Sequence, residues 1–173
     1  MKRIAEFYKV SFSQFEKDYK EINPNSKLSH AELKSMYDNI KLPTRATTGS
    51  AGYDFFLPHE INLKAGEQIV IPTGIRFECK QDYALFMFSK SGLGNRNRLQ
   101  LNTAVSIIDS DYFYSDNEGH IIACLIHDSR NPKDVLSLPA GKGYFQGVFI
   151  KYGITKSDKS TGKRNGGLGS TNQ

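Results

Sequence analysis

Only two cysteines occur in the 173 residues, Cys79 and Cys124, too few for a disulfide-stapled scaffold or a cysteine-rich zinc module. Both lie in apolar, strand-like surroundings and read as buried free thiols of a reducing compartment. No apolar run is long enough to span a bilayer, and MKRIAEFYKV has no long apolar stretch of the kind a secretory leader needs. A cytoplasmic protein with no membrane partner is therefore expected. The basic residues form no block, which argues against direct nucleic-acid binding. His30, His59, His120 and His127 show neither HExxH nor Cys/His spacing, so surface or structurally satisfied histidines are expected, not metal ligands. Neither an internal repeat nor a domain linker is visible.

What is present suits one globular domain over 1–173. Hydrophobic residues make up 38% and charged residues 24%, enough apolar matter for a real core. Lys and Arg number 23 against 18 Asp and Glu, a net charge of +5 that suits a polyanion such as phosphate. Residues 3–10 alternate as a short strand. Ser11-x-x-Gln14 and Ser29-x-x-Glu32 are capping boxes ahead of two amphipathic stripes, Phe12, Phe15 and Tyr19, then Leu33, Met36, Tyr37 and Ile40. Both stripes are expected to pack on the domain. From Leu42 onward, short segments rich in Val, Ile, Phe and Tyr alternate with turn residues: YDFFL, QIVIP, GIRFECK, YALFMF, AVSIID, HIIACLIH and YFQGVFIKYGI. That rhythm predicts an all-β barrel or sandwich.

Five tracts offer chemistry, and each has an ordinary structural reading beside it. In SAGYDFFLP (50–58), small residues ahead of Asp54 permit close backbone approach to a carboxylate, or simply open a strand. In FSKSGLGNRNRL (88–99), Ser91 and the backbone N–H groups near Lys90 can face an anion, or the tract is an exposed basic loop. AVSIIDSDYFY (104–114) delivers Asp109 to the edge of a core where it could orient a water, or the strand ends in an Asx turn. GYFQG (143–147) holds Gln146 in an otherwise apolar strand. The tract 160–173 combines Arg164, a bidentate phosphate fork, with glycines and the Ser170–Thr171 hydroxyls, which suits either a closing flap or a frayed tail.

Taken in order, these five tracts resemble the five motifs of the homotrimeric dUTPase family, over roughly residues 40–172. KLPTRATTGSAGYDFFLP resembles the approach to the first motif and the motif itself. SKSGLG is similar to the second, SIIDSDY to the third, GYFQG to the fourth and RNGGLGST to the fifth. The resemblance implies a β-jelly-roll subunit, with residues 1–40 a strand-plus-helix addition, 41–159 the β core and 160–173 a flexible lid. It implies a homotrimer with shared active sites that splits dUTP into dUMP and pyrophosphate with Mg²⁺. Asp109 would orient the attacking water, and Tyr112 would pack on the deoxyribose and leave no room for a 2′-hydroxyl. Uracil would be read by the hairpin at Thr103, Ser106 and Ile108. Lys90, Ser91, Gly92 and Gln146 would hold the phosphate chain, and Arg164, Leu168, Gly169, Ser170 and Thr171 the lid contacts. Asp54 would support the metal through water.

The chain also departs from the family's pattern. Lys90 stands where Arg is usual, Ser106 where Gly is usual and Leu168 where an aromatic is usual; Arg164 lies one residue closer to the glycines. Residues 113–118, FYSDNE, form an insertion. The alternative is a non-catalytic nucleotide-binding regulator that meets a repressor-type protein partner through residues 1–40 and 113–118. The sister activity of dCTP deamination lacks a matching glutamate, since Glu118 sits in the insertion. An RNA-binding module lacks RGG-type repetition.

Overall fold

The computed structural model describes residues 2–167. Strand β1 (Ala5–Lys9) is shorter than the alternation suggests, and helix α1 (Phe12–Ile22) follows it. Ser11 caps α1 by accepting the Gln14 N–H at 3.1 Å, but the expected box closes only by half. Gln14 turns instead to Asp18 (2.8 Å), and Glu118, far along the chain, takes the Ser11 N–H at 2.7 Å. In α2 (His30–Asp38) the box is complete, with Ser29 and Glu32 each satisfying the other's backbone N–H; such a cap is worth about 1 kcal/mol. Phe15 and Tyr19 of α1 and Leu33 of α2 are buried, so both stripes face the domain as expected.

The remaining strands are β2 (Tyr53–Phe56), β3 (Ile61–Lys64), β4 (Gln68–Pro72), β5 (Ile75–Cys79), β6 (Tyr83–Ser89), β7 (Leu99–Leu101), β8 (Val105–Ile108), β9 (Ile122–His127), β10 (Val135–Leu138) and β11 (Gly143–Lys151). They form four ladders, β2-β11-β6-β8, β4-β9-β7, β1-β5 and β10-β3, with antiparallel neighbours. Mostly β with few short helices, the architecture is the expected all-β jelly roll. Every segment read as a strand is one. The pattern does not mark the three- and four-residue strands β3, β7 and β10. It also reads residues 91–97 as loop, where the chain forms a short helix, α3 (Ser91–Asn97), that turns β6 into β7.

Period-two burial places the core. Ala123, Leu125 and His127 of β9 point inward while their neighbours are half-buried. Phe55 of β2 stacks on Phe145 of β11 at 4.4 Å between ring centroids, and Phe7 of β1 meets Phe55 edge-on at 5.6 Å. Such ring pairs add about 0.5–1.5 kcal/mol each beyond the area they bury. The two cysteines are half-buried, not buried, because each lies near the end or on the flank of its strand. His30 and His59 are at the surface or half-buried, while His120 and His127 are fully enclosed and hydrogen-bonded, as structural histidines should be.

Candidate active site

The predicted site residues fall into two groups beside β6, one just past its Ser89 end and the other strung along β8, which pairs with Leu85–Phe88. The first is held by three neighbouring strands: Asp54 of β2 lies opposite Gln146 of β11, and Gln146 lies opposite Phe88 of β6. Lys90, just past β6 and at the start of α3, reaches back to pair with the Asp54 carboxylate. Gly143 leaves space for that pair, since a Cβ there would sit 3.3 Å from the Lys90 amine. No side chain caps α3, which leaves the first N–H groups, around Ser91 and Gly92, without side-chain partners. Gly92 has open space beside it. This end of the sheet therefore offers N–H donors, a hydroxyl, an amide and a compensated cation.

The second group surrounds a cavity of about 140 Å³. Thr103, Ser106, Ile108, Asp109, Tyr112 and Arg164 all line it, together with Met87, Ile121 and Gly167. The hairpin between β7 and β8 is tight. Ala104 adopts φ +59°, and the Thr103 and Ser106 hydroxyls lie 2.8 Å apart across it. Asp109 ends β8 and opens a single 3₁₀ turn (Ser110–Tyr114) that brings the Tyr112 ring beneath the cavity. The Tyr112 hydroxyl donates to the His120 carbonyl (2.9 Å) and accepts from the Asn117 amide (2.8 Å). Burial pushes the Tyr112 hydroxyl above its ordinary pKa, partly offset by the Asn117 bond, so it stays neutral. Arg164 closes the rim by pairing with Asp109 and, at 3.0 Å, with Asp111, while Gly167 lies against the Tyr112 ring.

All the predicted residues within the described span thus join one of the two groups. Leu168, Gly169, Ser170 and Thr171 lie outside the described residues. Sequence reasoning does not single out Asp111, Asn117, His120 or Met87. Asp111 is visible in IIDSDY, but Met87 reaches the cavity, and Asn117 and His120 reach the Tyr112 hydroxyl, only through the fold. Among the described residues no three His, Cys, Asp or Glu side chains cluster as a metal cage. The one carboxylate of the first group, Asp54, is an oxygen donor that suits outer-sphere contact with a hard cation.

Known proteins resemble this chain in sequence and fold. The dUTPase family model matches residues 38–121. The deoxyuridine 5′-triphosphate nucleotidohydrolase of Lactococcus lactis is 33% identical over 151 residues, covering 84% of this chain and 98% of the relative. That of Haemophilus ducreyi is 31% identical over 154 residues, with 82% and 96% covered. Among solved structures, the Streptococcus mutans dUTPase superposes with a TM-score of 0.60 at 31% identity, covering 67% of this chain and 89% of that one. A dUTPase of Staphylococcus bacteriophage 80alpha shares the fold over 95% of this chain, with a TM-score of 0.63 at 14% identity. The chain belongs to the dUTPase family.

Proposed function

We propose that this chain hydrolyses dUTP to dUMP and pyrophosphate in the cytoplasm, limiting uracil incorporation into DNA and supplying dUMP for thymidylate synthesis. The observation that carries it is Asp109 at the rim of a nucleobase-sized cavity floored by Tyr112 and edged by the Thr103–Ile108 hairpin. The hairpin reads uracil, and the Tyr112 ring packs on the deoxyribose where a 2′-hydroxyl would have to fit. Asp109 accepts a hydrogen bond from the water that attacks the α-phosphate. Lys90, Ser91, Gly92 and Gln146 hold the phosphate chain, and Arg164 holds its distal end. The physics is positioning and neutralisation of a polyanion. A non-catalytic regulator is not favoured, because the curated relatives are nucleotidohydrolases and Asp109 stands at the cavity.

We infer further that the active enzyme is a homotrimer with shared sites, and β6 supplies the support. Ile108 lies opposite Leu85, so Asp109 emerges beside Ala84, whereas Lys90 and Ser91 follow Ser89 at the other end. Five residues of strand at about 3.4 Å each separate these levels by roughly 17 Å, too far for Asp109 and the Lys90–Ser91 tract of one chain to serve the same phosphate chain. On this reading a second copy brings its phosphate-binding group to this chain's Asp109. Arg164, which rests on Asp109 of its own chain here, would cross with the lid to a neighbour. Mg²⁺ would be held by the triphosphate and waters, with Asp54 reaching it through water, and would neutralise phosphoryl charge.

The direct test is pyrophosphate release from dUTP with Mg²⁺, with dCTP, dTTP and UTP in parallel. Fast release from dUTP alone is expected, with most turnover lost in Asp109→Asn while dUTP still binds. Equal rates in that variant would sink the assignment. Mixing Asp109→Asn with a chain truncated after Gly162 should restore activity in hybrid trimers; no recovery in verified hybrids would rule out shared sites.

A further inference from the structure

Helix α1 lies outside the cavity, yet one of its carboxylates is wired to the cavity's aromatic floor. Asp18 Oδ2 accepts a hydrogen bond from His120 Nδ1 at 2.5 Å, and its other oxygen accepts from Gln14. His120 is fully buried, and its Nε2 accepts the Gly74 N–H at 2.7 Å. The two partners fix one tautomer, proton on Nδ1, and one ring orientation. The backbone carbonyl of the same residue accepts the Tyr112 hydroxyl, and its N–H donates to the Asn117 carbonyl at 3.1 Å. Asn117 in turn donates to Tyr112. The next residue, Ile121, is part of the cavity wall.

A second clasp lies two residues earlier. Glu118 holds the Ser11 N–H and hydroxyl at 2.7 and 2.6 Å, and it adopts φ +58° to do so. The loop that leaves Tyr112 and returns at His120 is therefore bolted to α1 at both Glu118 and His120. Burial pushes the Asp18 carboxyl up, but the hydrogen bonds from His120 and Gln14 outweigh it, and the group stays below its ordinary pKa.

We propose that Asp18, acting through His120, is a positioning residue for Tyr112 and thereby sets how strictly the pocket excludes a 2′-hydroxyl. The N-terminal helix is then a working part of the nucleotide pocket, not an appended surface. The inference rests on the proposed dUTP hydrolysis for its kinetic consequence, though not for its structural one. Without Asp18 the buried His120 N–H has no partner, and the ring turns to find one. The His120 backbone then loses the anchor its ring had given it, and its carbonyl is a less fixed acceptor for Tyr112. A ring free to shift by a fraction of an ångström admits a ribose more readily.

The test uses the full chain as Asp18→Ala and Asp18→Asn. Asn keeps an oxygen that can accept the Nδ1–H, so it serves as the conservative rescue. Asp18→Ala should lower the ratio of kcat/KM for dUTP over UTP at least tenfold, and Asp18→Asn should stay within threefold of wild type. Simple loss of folded protein lowers both rates together and leaves the ratio alone. An unchanged ratio in Asp18→Ala overturns the proposal, as does an equal loss in Asp18→Asn.

The second readout needs no turnover. In ring-¹³C-tyrosine protein, with the Tyr112 signal assigned by its loss in Tyr112→Phe, Asp18→Ala should shift or broaden that signal while Asp18→Asn does not. A wild-type chain silent on dUTP, with the Tyr112 signal still moved by Asp18→Ala, would refute the hydrolase and keep the linkage. An unmoved signal refutes the linkage whatever the activity. Should Asp18→Ala fail to fold, Asp18→Ser, whose hydroxyl is too short to reach the ring, carries both measurements.

Discussion

Gly52 is the position where one methyl group should separate catalysis from stability. A Cβ at this residue would lie 2.5 Å from Gln146 Oε1 and 3.2 Å from its Cδ. The obstruction is the far end of a flexible side chain, and Gly52 has no positive φ, so alanine brings no backbone strain. Two small terms then oppose each other. Reduced freedom of the unfolded chain favours alanine by about 0.4–1 kcal/mol, and an off-rotamer glutamine costs about 0.5–1.5 kcal/mol. The melting temperature of Gly52→Ala should therefore move by only a few degrees. The Gln146 amide, however, must leave the place from which the proposed function has it hold the phosphate chain. A hydrogen bond to a charged group is worth about 1.5–3 kcal/mol. At about 1.36 kcal/mol per decade, that is a fall of roughly 10- to 150-fold in kcat/KM for dUTP. Pyrophosphate release gives the rate and calorimetry the stability. In a double variant with Gln146→Ala the two losses should not add, because both remove the same contact. Activity within twofold of wild type would refute the reasoning, and so would fully additive losses. A large drop in melting temperature would show that Gly52 is kept for the fold instead.

Three other outcomes follow from buried or perturbed groups. The Tyr144 hydroxyl is enclosed without a partner among the described residues, and burial pushes its pKa well above the ordinary value. Tyr144→Phe removes an unpaired polar atom, so a urea midpoint equal to or above wild type is expected. The Cys79 thiol donates to the Tyr83 carbonyl at 3.3 Å, and burial, with Asp82 and Glu78 nearby, pushes its pKa up to about 11 from an ordinary 9.0. At pH 8 its disulfide-reagent labelling in the native state should be about 100-fold slower than that of an unperturbed thiol, and ordinary labelling would refute the assignment. Asp18, whose folded pKa is depressed, adds stability that is fully present above about pH 4 and lost as pH falls through the lower folded value. The stability gap between wild type and Asp18→Asn should thus narrow from pH 5.5 to pH 3; a constant gap would contradict it.

How far the sequence reveals the molecule depends on the range of the interaction concerned. The long β strands are legible because YALFMF and HIIACLIH concentrate residues that fit a pleated, half-buried surface. INLK, LQL and VLSL are too short and too mixed to stand out: LQL becomes a strand by pairing with β9, and INLK and VLSL by pairing with each other across more than 70 positions. SGLGNRN, with two glycines, has little helix propensity of its own, yet it coils between β6 and β7 and ends at Arg98 in the left-handed region. The site divides in the same way. Asp109 and Tyr112 share one strand end and one turn, so their spacing is visible in IIDSDY. The Asp18–His120 bond joins residues 102 positions apart and leaves no local trace. Ser11 shows the same limit at a helix cap: its local partner Gln14 loses half the box to Glu118, 107 residues away.

On the proposed function, side-chain pairing lets a chain with a modest net charge accept a polyanion with the two site cations already compensated. Lys90 rests on Asp54, and Arg164 rests on Asp109 and Asp111. Partly exposed pairs of this kind contribute only about 0–1 kcal/mol, so breaking them costs little. A triphosphate offers each cation a stronger, multiply charged partner, and each exchange releases a carboxylate. The carboxylates so released include Asp54 and Asp109, the two that the proposed function assigns to hydrogen bonds from water. Binding and preparation of the site are then the same event, because the phosphate chain takes the cations that had been holding those carboxylates. Lys90 suits this exchange even without the planar fork of arginine, since a compact ammonium on a flexible stem can swing from Asp54 to a phosphoryl oxygen.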